Sequence, residues 1–392
     1  MKILLAHPGT QHSYKLAEEL FALKSLYKFL TSLSFGKGGW MNFLLPKSWD
    51  HRRSIAVPGD QLGLQPWLEF FSILIKLGFD SAKIYSIRNQ IFQHTIANRH
   101  IANADAVIGF DTSSLVLARR AKKYGVKFFL ELTTPHPGEK QFIQQSLMGR
   151  FPIWMENERK KNGNEFFKED DEVREAFHVI APSQYVKETY VNRGHPGNKI
   201  SVNPYGASLD AFSIKSYKKK TKLKFLFLGS LTANKGVPIL LDAWQKLNTD
   251  AAELVLAGYG KIPGEVITLK GVLQLGRVEK NDRLALFHSA DVFLCPSFYE
   301  GLALVQLEAA ACGLPVIGTT TSGLLEFTRE GIGGFAVEAG AVDQLVQKMK
   351  FFIENPEQVE AMGKEAHQQA QKFTWAAYAQ RWIDIIDGFS RL

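Results

Sequence analysis

The chain is poor in residues that cross-link or anchor a fold. It has two cysteines in 392 residues, Cys295 and Cys312, and their spacing matches no metal-binding motif. This argues against a disulfide framework and a zinc site, and it favours a reducing cytoplasm. No apolar stretch reaches the roughly 18 residues that a membrane-spanning helix needs. The opening MKILLAHP is interrupted by His7 and Pro8 and lacks a small-residue cleavage site, so it predicts a strand and not a signal peptide.

Several catalytic motifs are missing as well. The first predicted strand-to-helix turn, AHPGTQHSYK, contains neither the dinucleotide fingerprint G-x-G-x-x-G nor the phosphate loop G-x-x-x-x-G-K-[ST]. The chain has no G-x-S-x-G nucleophile elbow and no histidine-rich metal motif. The turn at Gly9 and Thr10 therefore predicts close approach of the backbone to a ligand, and no more.

What the chain does have is an ordinary globular composition with an excess of positive charge. Hydrophobic residues make up 45% and charged residues 22%, which argues against disorder. The formal charge of +8 favours an anionic partner: nucleotide phosphate, nucleic acid, an acidic polymer or an anionic membrane surface. Nucleic acid is the least favoured of these, because the basic residues are scattered and not interleaved with an aromatic platform.

Strand-like and helix-like segments alternate from end to end, which predicts parallel sheets. A lysine-rich junction at 215–224, KSYKKKTKLK, separates two such series, and we interpret it as a solvated linker. The fold class predicted is α/β, with two doubly wound domains facing across a cleft and ligands bound beyond the carboxyl ends of the strands. The predicted strands are 2–8, 27–35, 105–110, 126–132 and 178–183 in the first half, and 224–230, 252–258, 272–276, 291–297 and 315–320 in the second.

The segment PSFYEGLALVQLEAAACGLPVIGTTT carries two carboxylates, Glu300 and Glu308, in an otherwise apolar run. After Gly301 the helical pattern is apolar on every side, which predicts a buried helix. Free amides at its start would suit a phosphate, and the carboxylates would suit sugar hydroxyls. Alternatively, Glu300 caps the helix and Glu308 pairs with a basic residue from another segment. Spacing alone leaves the two interpretations evenly matched.

Three other glycine turns follow predicted strands of the second half. Lys235 precedes a helix start, where its ammonium and the backbone amides would share one anion, although lysines near helix starts are common and the plainer surface role is favoured. Gly258 and the segment 276–278 follow the next two strands. All four turns are expected at one edge of the sheet.

Candidates in the first half are weaker. His136 lies between two prolines in ELTTPHPGEK, which suits a rigid hydrogen bond to substrate or, equally, an exposed loop. We expect His12 to be a surface residue at a helix start. Ser183 lies where a strand meets a helix, which is the usual place of an N-cap.

Together these segments resemble the retaining glycosyltransferases of family 4, the group 1 enzymes with the GT-B fold. The family's E-x7-E segment is similar to FYEGLALVQLEAAACGLPVIGTT, and its G-R-L-x-x-x-K-G turn is similar to FLGSLTANKG. Its P-S-x-F-V-K segment is similar to VIAPSQYVKETYVNRG. Its N-G-V-D-x-x-x-F hinge is similar to SVNPYGASLDAF, and its G-G-x-x-E stretch to SGLLE. The resemblance covers nearly all of 178–375. It implies two Rossmann-like domains, 1–205 on the acceptor side and 206–372 on the donor side, with a final helix in 373–392 that crosses back to the first domain.

The resemblance also implies residue roles. Glu300 would face the hydroxyls of the transferred sugar and Glu308 those of the ribose, while Lys235 would neutralise the diphosphate. The catalytic set that it implies is Glu300, His136 and Lys235. The donor-binding set is Gly9, Thr10, Ser230, Lys235, Gly258, Arg277, Val278, Glu300, Gly301, Leu302, Ala303, Leu304 and Glu308, with no metal ligand.

Two positions depart from the family pattern. Ser230 stands where the family has an arginine, which removes one phosphate contact and leaves more of the charge to Lys235. Leu302 and Ala303 replace a phenylalanine and a glycine, a milder change because backbone amides make the contacts.

The activity implied is transfer of a sugar, with retention and without a metal or cofactor, from a nucleotide diphosphate sugar to a hydroxyl of a glycan or lipid-linked acceptor. The leaving diphosphate would take the acceptor's proton while helix amides and Lys235 stabilise its charge. One alternative is a nucleotide-sugar epimerase of the GT-B fold. Another is a non-catalytic, nucleotide-sugar-binding regulator, which Ser230 motivates.

The acceptor is expected on the first domain, around 41–53, 66–79 and 136–165, which match no family motif. Their aromatic and basic residues would suit an anionic, lipid-linked acceptor and a peripheral contact with the inner face of a membrane. The interpretation that we favour at this point is plainer: a buried helix face with ordinary solubility charges in a cytoplasmic protein.

Overall fold

The computed structural model describes residues 1–36, 54–156, 167–217, 221–263 and 269–390. These residues form two parallel sheets of seven and six strands with helices packed against them, and one separate pair of short strands. We refer to the first sheet with its helices as the first unit and to the second as the second unit. Two predicted acceptor segments, 41–53 and 157–165, lie outside the described residues.

The first sheet has the strand order β5-β2-β1-β6-β7-β8-β9, and all its neighbours pair in parallel. The chain extends the sheet in one direction from β1 and then in the other from β6, so the turns after β1 and β6 flank a switch point. The strands are β1 (Ile3–Ala6), β2 (Leu26–Thr31), β5 (Leu62–Leu64), β6 (Ala106–Phe110), β7 (Lys127–Glu131), β8 (His178–Ala181) and β9 (Ile200–Val202), with β3 (Phe35–Gly36) and β4 (Ser54–Ile55) paired apart from them.

Eight helices accompany the first sheet in the described ranges. They are α1 (Ser13–Ala22), α2 (Phe70–Lys76), α3 (Ser81–Thr95), α4 (Asn98–Ala102), α5 (Leu115–Lys123), α6 (Pro137–Arg150), α7 (Phe167–Glu175) and α8 (Gln184–Val191). Ser183 caps α8 by accepting a hydrogen bond from the amide of Val186 at 3.3 Å, which confirms its predicted role.

The second sheet has the order β12-β11-β10-β13-β14-β15, again parallel, with its switch point between β10 and β13. Its strands are β10 (Leu223–Leu228), β11 (Ala252–Ala257), β12 (Val272–Gly276), β13 (Val292–Cys295), β14 (Val316–Thr319) and β15 (Gly334–Val337). Its helices are α9 (Val237–Leu247), α10 (Arg283–Ser289), α11 (Leu304–Ala311), α12 (Val342–Glu354) and α13 (Glu357–Ala370), followed by α14 (Trp375–Ser390).

The central strands are continuous apolar runs because helices cover both faces of each sheet. β1 and β13 are buried along their whole length, and α11 is buried over most of its length, as its all-round apolar pattern predicted. Every strand predicted from the sequence is present within a few residues. The described strands that were not predicted, β5, β9, β15 and the separate pair β3 and β4, have only two to four residues.

The last helix, α14, lies against the first unit. It packs on α1, and its Tyr378 and Trp382 are fully buried there. The hydroxyl of Tyr378 donates to Glu131 at the end of β7 at 2.6 Å. The chain therefore returns to the first sheet after completing the second. The domain limits at 205 and 372 remain predictions.

Two interpretations of the sequence were wrong. Lys215, in the supposed solvated linker, is buried, and its ammonium donates to the carbonyl of Ala290 and to the Asp291 carboxylate, the latter at 3.1 Å. The buried helix face expected at 66–79 is limited to Leu68 and Glu69, because none of the residues of α2 is buried. Periodicity predicted its helix correctly but could not show what would cover it.

Candidate functional site

Lys235 and Glu300 meet at the switch point of the second sheet. Lys235 lies in the turn after β10 and Glu300 in the turn after β13, and the lysine ammonium donates to Oε1 of the carboxylate. The Ser297 hydroxyl donates to the same oxygen at 2.9 Å. The side chains of Lys235 and Glu300 remain 30% and 16% exposed, so a ligand can reach both of them.

Close packing of the two turns brings this pair together. Gly236 has φ of 73°, and a Cβ built on it would lie 1.9 Å from the carbonyl oxygen of Pro296. A larger residue would push the β10 turn away from the β13 turn. The Glu300 amide also donates to the carbonyl of Thr321 at 3.0 Å, which fixes the carboxylate-bearing turn from the β14 side.

The amides beside Glu300 are partly available to an anion. Helix α11 starts at Leu304, and the amides of Gly301, Leu302 and Leu304 donate to no group among the described residues. The amide of Ala303 is already bonded to the carbonyl of Ser322 at 3.1 Å, so the expectation that Ala303 offers an amide to phosphate is not met in this structure. The turn therefore offers one amide fewer than predicted, and its binding of an anion remains a prediction.

Glu308 lies one to two turns further along α11 and pairs with Arg283 at the start of α10. The distance from its Oε2 to Nη1 of Arg283 is 3.1 Å. Burial raises the pKa of Glu308, and the charge of Arg283 opposes the shift. This ion pair is the alternative that the sequence left open for Glu308. Because Arg283 is 36% exposed, the pair lies near the surface and not in the core, and the ribose role of Glu308 remains a prediction.

The other glycine turns continue the same edge of the sheet. A Cβ on Gly258 would lie 1.7 Å from the carbonyl oxygen of Gly229, and the Gly258 amide donates to Gly276 at 2.7 Å. The turns after β10, β11 and β12 therefore touch one another. Ser230 lies half-buried in the turn after β10. The turn after β12 contains exposed Arg277, which pairs with Glu279 at 3.1 Å, and half-buried Val278.

The first unit packs directly against the turn at Gly301. A Cβ on Gly301 would lie 2.1 Å from the carbonyl oxygen of Thr133, in the turn after β7. Asp111 holds that turn by accepting from the amide and hydroxyl of Thr133 at 2.9 and 2.8 Å. Nearby, Gln184 donates its amide to Glu326 of the second unit at 2.6 Å. The carboxyl-end turns of the two sheets thus face each other.

Gly9 and Thr10 lie half-buried in the turn after β1. The Gly9 amide donates to Nδ1 of His7 at 3.0 Å, and burial lowers the pKa of His7 to about 3, so this ring is neutral. Among the described residues, no hydrogen bond joins this turn to Lys235 or Glu300. The place of Gly9 and Thr10 in the donor-binding set remains a prediction.

His12 is not the surface residue that was expected. Its Nε2 lies 2.5 Å from Oε1 of Glu131, which also accepts from Tyr378, and its ring centroid lies 4.4 Å from that of Tyr205. The network joins the β1 turn to the last helix. Sequence reasoning missed it because Glu131 is 119 residues from His12 and 247 from Tyr378.

His136 is 6% exposed and caps α6. Its Nδ1 accepts from the amide of Gly138 at 3.0 Å, and its Nε2 bonds to Oδ1 of Asp170 at 2.8 Å. Both ring nitrogens are therefore engaged within the protein. The structure gives His136 a structural role, and its catalytic role remains an untested prediction.

His136, Asp170 and His195 form a cluster of residue types that can hold a metal ion. His195 bonds to the same Asp170 oxygen at 2.9 Å. Since Nδ1 of His136 accepts a hydrogen bond, the neutral ring carries its proton on Nε2 and donates it to Asp170. A metal on Nε2 would have to displace that proton, so the hydrogen bonds fit a histidine–carboxylate network better than a metal centre.

Comparison with solved structures identifies the class of fold. The lipopolysaccharide outer core galactosyltransferase WaaB aligns over 100% of both chains with a TM-score of 0.65 and 19% identity. HepE from Anabaena, solved with UDP and glucose, aligns over 100% of both chains with a TM-score of 0.61 and 18% identity. The chain has the GT-B fold of these glycosyltransferases.

Comparison of the sequence finds relatives of the second unit. Residues 210–369 match the family model for glycosyl transferases group 1. The alpha-maltose-1-phosphate synthase of Mycobacterium tuberculosis is 30% identical over 179 residues, which cover 41% of this chain and 46% of that protein. The chain thus spans less than half the length of this curated relative.

Proposed function

We propose that the protein transfers a sugar from a nucleotide diphosphate sugar to an acceptor hydroxyl. The observation that carries the proposal is the Lys235–Glu300 pair beside the free amides of Gly301 and Leu302 at the switch point of the second sheet. A cation and backbone amides suit a diphosphate, and a carboxylate suits sugar hydroxyls. The segment that matches the family model contains all four residues.

In this proposal, binding of the donor breaks the ion pair between Lys235 and Glu300 and gives each side chain a new partner. The diphosphate binds the ammonium and the amides, and the carboxylate released from the lysine accepts hydroxyls of the sugar, with Ser297 still holding one of its oxygens. As the bond to the sugar breaks, negative charge grows on the diphosphate. Lys235 and the amides stabilise that charge, which lowers the barrier.

We further propose that the reaction retains the anomeric configuration and needs no metal. No enzyme nucleophile is invoked: the leaving diphosphate takes the proton of the acceptor hydroxyl. The supporting observation is that a protein group, the Lys235 ammonium, supplies positive charge at the turn. Glu308 would bind the ribose, with Arg283 moving aside or remaining at its second oxygen.

The acceptor is proposed to be a glycan or a lipid-linked molecule that approaches from the first unit. The turn at Thr133 and the turn at Gly9 lie on the cleft edge of that unit and would bound the space next to the sugar. WaaB, which shares the fold, is named for its action on lipopolysaccharide. A peripheral membrane contact in the cytoplasm is part of the same proposal.

The test is release of free nucleotide from UDP-, GDP- and ADP-sugars, measured with and without a mixture of glycan and lipid-linked acceptors. We expect release that requires an acceptor and that Glu300→Ala abolishes. The control Glu354→Ala alters an exposed carboxylate on α12, and it should leave release unchanged.

The remaining outcomes favour the alternatives. Conversion of the donor sugar without any acceptor would indicate an epimerase. Donor binding without turnover on any acceptor would indicate a regulator, which the serine at position 230 would then explain. Absence of donor binding would contradict the proposed function altogether.

A further inference from the structure

Helix α6 of the first unit lies against the two turns that carry the Lys235–Glu300 pair. Leu147, in the last turn of α6, packs in one apolar cluster with Ala233 and Phe298 of the second unit. Ala233 is two residues before Lys235, and Phe298 is two residues before Glu300. The end of α6 is therefore held beside the switch point of the second sheet.

The start of α6 approaches the same switch point. The helix begins at Pro137, and in the turn before it the carbonyl oxygen of Thr133 lies 2.1 Å from where a Cβ on Gly301 would be. The second unit is therefore in contact at both ends of α6, through Phe298 and through Gly301. Because these two residues flank Glu300 in the chain, the middle of α6 passes beside the turn that carries this carboxylate.

Lys140 is on the side of α6 that faces the second unit. Residues 140, 143 and 147 are spaced by three and four, so they share one side of the helix. Ile143 packs on the same apolar cluster as Leu147, which turns that side toward the second unit. The ammonium of Lys140 donates to the Thr134 hydroxyl at 3.0 Å, back toward the start of the helix. The positive charge therefore lies where the two units meet.

The ammonium of Lys140 has capacity for a further partner. Its side chain is half-buried, and its hydrogen bond goes to a neutral hydroxyl, although an ammonium has three donors. In the part of the chain that the structure describes, no carboxylate lies within ion-pair distance of it. Lys235, in contrast, pairs with Glu300, and buried Lys215 pairs with Asp291 at 3.1 Å. A cation held partly out of water without a counter-ion is suited to bind an anion.

Two acidic residues near Lys140 are engaged elsewhere. The charge of Lys140 acts on buried Asp111, but that carboxylate accepts from the amide and hydroxyl of Thr133 and not from the lysine. Glu139, the preceding residue of α6, lies 3.9 Å from the guanidinium of Arg193. Within the described residues, then, neither of these carboxylates completes the surroundings of the ammonium, and an anionic ligand in the cleft would.

We propose that Lys140 binds a phosphate group of a substrate in the cleft, an assignment that rests on the proposed sugar transfer. In the turn after β10, 229–236, Lys235 is the charged residue, whereas a nucleotide diphosphate sugar carries negative charge on both phosphates. Lys140 supplies a second positive charge from the facing unit. Because the two lysines belong to different units, a diphosphate bound by both holds the units together around the sugar.

A phosphate on the acceptor has the same chemistry and approaches from the same unit as Lys140. The donor and the acceptor are therefore the two possible sources of the phosphate. They differ in when the lysine is needed. A donor phosphate needs Lys140 for binding of the nucleotide alone, and an acceptor phosphate needs it only for turnover.

The first measurement is calorimetric titration of the wild type, Lys140→Met and Lys140→Arg with UDP, GDP and ADP. We expect Lys140→Met to weaken the diphosphate that the wild type binds about tenfold, because a hydrogen bond between charged groups is lost. The remaining affinity should depend less on salt. Lys140→Arg keeps the charge and should recover most of the loss. The control is Lys122→Met, which removes an exposed lysine of α5 that pairs with Glu175 at 3.4 Å.

The second measurement is nucleotide release with the phosphate-bearing and the phosphate-free acceptors tested separately. If the acceptor is the source, Lys140→Met leaves diphosphate binding unchanged and lowers release about tenfold with phosphate-bearing acceptors only. If the donor is the source, release falls with both kinds of acceptor. Either pattern supports a phosphate-binding role for Lys140, and the pattern identifies the source.

The remaining outcomes contradict that role. Unchanged binding and release in Lys140→Met, or losses equal to those of Lys122→Met, would overturn it. A lower melting temperature of Lys140→Met with unchanged affinity and release would make Lys140 a purely structural residue. Affinity that Lys235→Met loses and Lys140→Met keeps, with release unchanged, would refute the role of Lys140 alone. Absence of diphosphate binding by the wild type would refute the proposed function and the role of Lys140 together.

Discussion

The two sheets present equivalent switch points that differ in how their polar groups are used. In the second unit, Lys235 and Glu300 lie in neighbouring turns, are partly exposed and form an ion pair with each other. In the first unit, buried His7 accepts from its own turn and buried Asp111 holds the turn at Thr133. The same position in a doubly wound sheet can thus leave its charged groups open to a ligand or use its polar groups to fix its own loops. Exposure, more than residue type, separates the two cases.

The largest expected effect is on turnover at the second switch point. Lys235→Met should lower kcat by about 10² to 10³, the range seen when a group that stabilises developing negative charge is removed. The matched control is Lys246→Met, which removes an exposed, ion-paired lysine from α9. Initial rates of nucleotide release measure the effect. Equal rates of nucleotide release for both variants would show that Lys235 contributes no more to turnover than the surface lysine Lys246.

Glu308 tests how far the ligand-binding edge extends. If it binds the ribose, Glu308→Gln should raise the donor KM about tenfold, because a hydrogen bond to a charged group is lost. Arg283→Gln breaks the same ion pair but keeps the carboxylate, so its KM should change little. Equal changes of KM, or changes only in melting temperature for both variants, would assign Glu308 to the ion pair alone.

The buried histidines of the first unit should make a contribution to stability that falls in acid. Burial lowers the pKa of His7 to about 3 and that of His178 to about 4, whereas both titrate near 6.5 when unfolded. Below pH 6.5 these two histidines bind protons in the unfolded chain but not in the folded one, so their contribution falls as pH falls, whereas buried Glu172, with a pKa raised to about 8, acts in the opposite direction. Between pH 7.5 and 5.5 each histidine should lower the free energy of unfolding by about 1.4 kcal/mol.

Denaturant unfolding of the wild type and of His178→Gln at these two pH values measures that slope. The variant should lose less stability than the wild type over the same interval, since one of the two titrations is gone. An unchanged pH dependence would mean that His178 is protonated as readily in the folded state as in the unfolded one.

The smallest expected effect is at His136. His136→Ala should lower the free energy of unfolding by about 1 kcal/mol through loss of the α6 cap, and His136→Asn should recover part of it, because asparagine also caps helices. Turnover per folded molecule should change by no more than a few-fold in either variant. A loss of about a hundredfold in both would give His136 the catalytic role that the sequence suggested and would weaken the contrast between the units.

Sequence reasoning could propose the Lys235–Glu300 site because its parts are local, and its function as a donor site remains a prediction. Lys235 lies next to a helix start, and Glu300 lies next to a glycine in a recognisable strand–turn–helix segment. The alternation of elements likewise predicted most strands of both sheets, and the family resemblance implied the return of α14 to the first unit. Local sequence patterns do not show which side chains pair when they are far apart in the chain. The Glu308–Arg283 pair was left open as one of two alternatives, and the His12–Glu131 bond was missed.

Local sequence patterns also fail to predict how exposed a helix is and which backbone amides are already hydrogen-bonded. A helix at 66–79 was predictable, but whether another element covers it depends on the whole fold. The amide of Ala303 looked available from its place near a helix start, yet the β14 turn supplies a carbonyl that takes it. Short edge strands such as β5 and β15 carry too few residues to show a period.

The most direct test of the central claim is calorimetric titration of wild type, Lys235→Met and Glu300→Gln with UDP, GDP and ADP and with their glucose conjugates. The account predicts that at least one diphosphate binds and that Lys235→Met weakens it about tenfold or more. It also predicts that Glu300→Gln weakens the nucleotide sugar more than the nucleotide alone. Binding that neither substitution alters, or no binding of any of these ligands, would contradict a donor site at the Lys235–Glu300 turn.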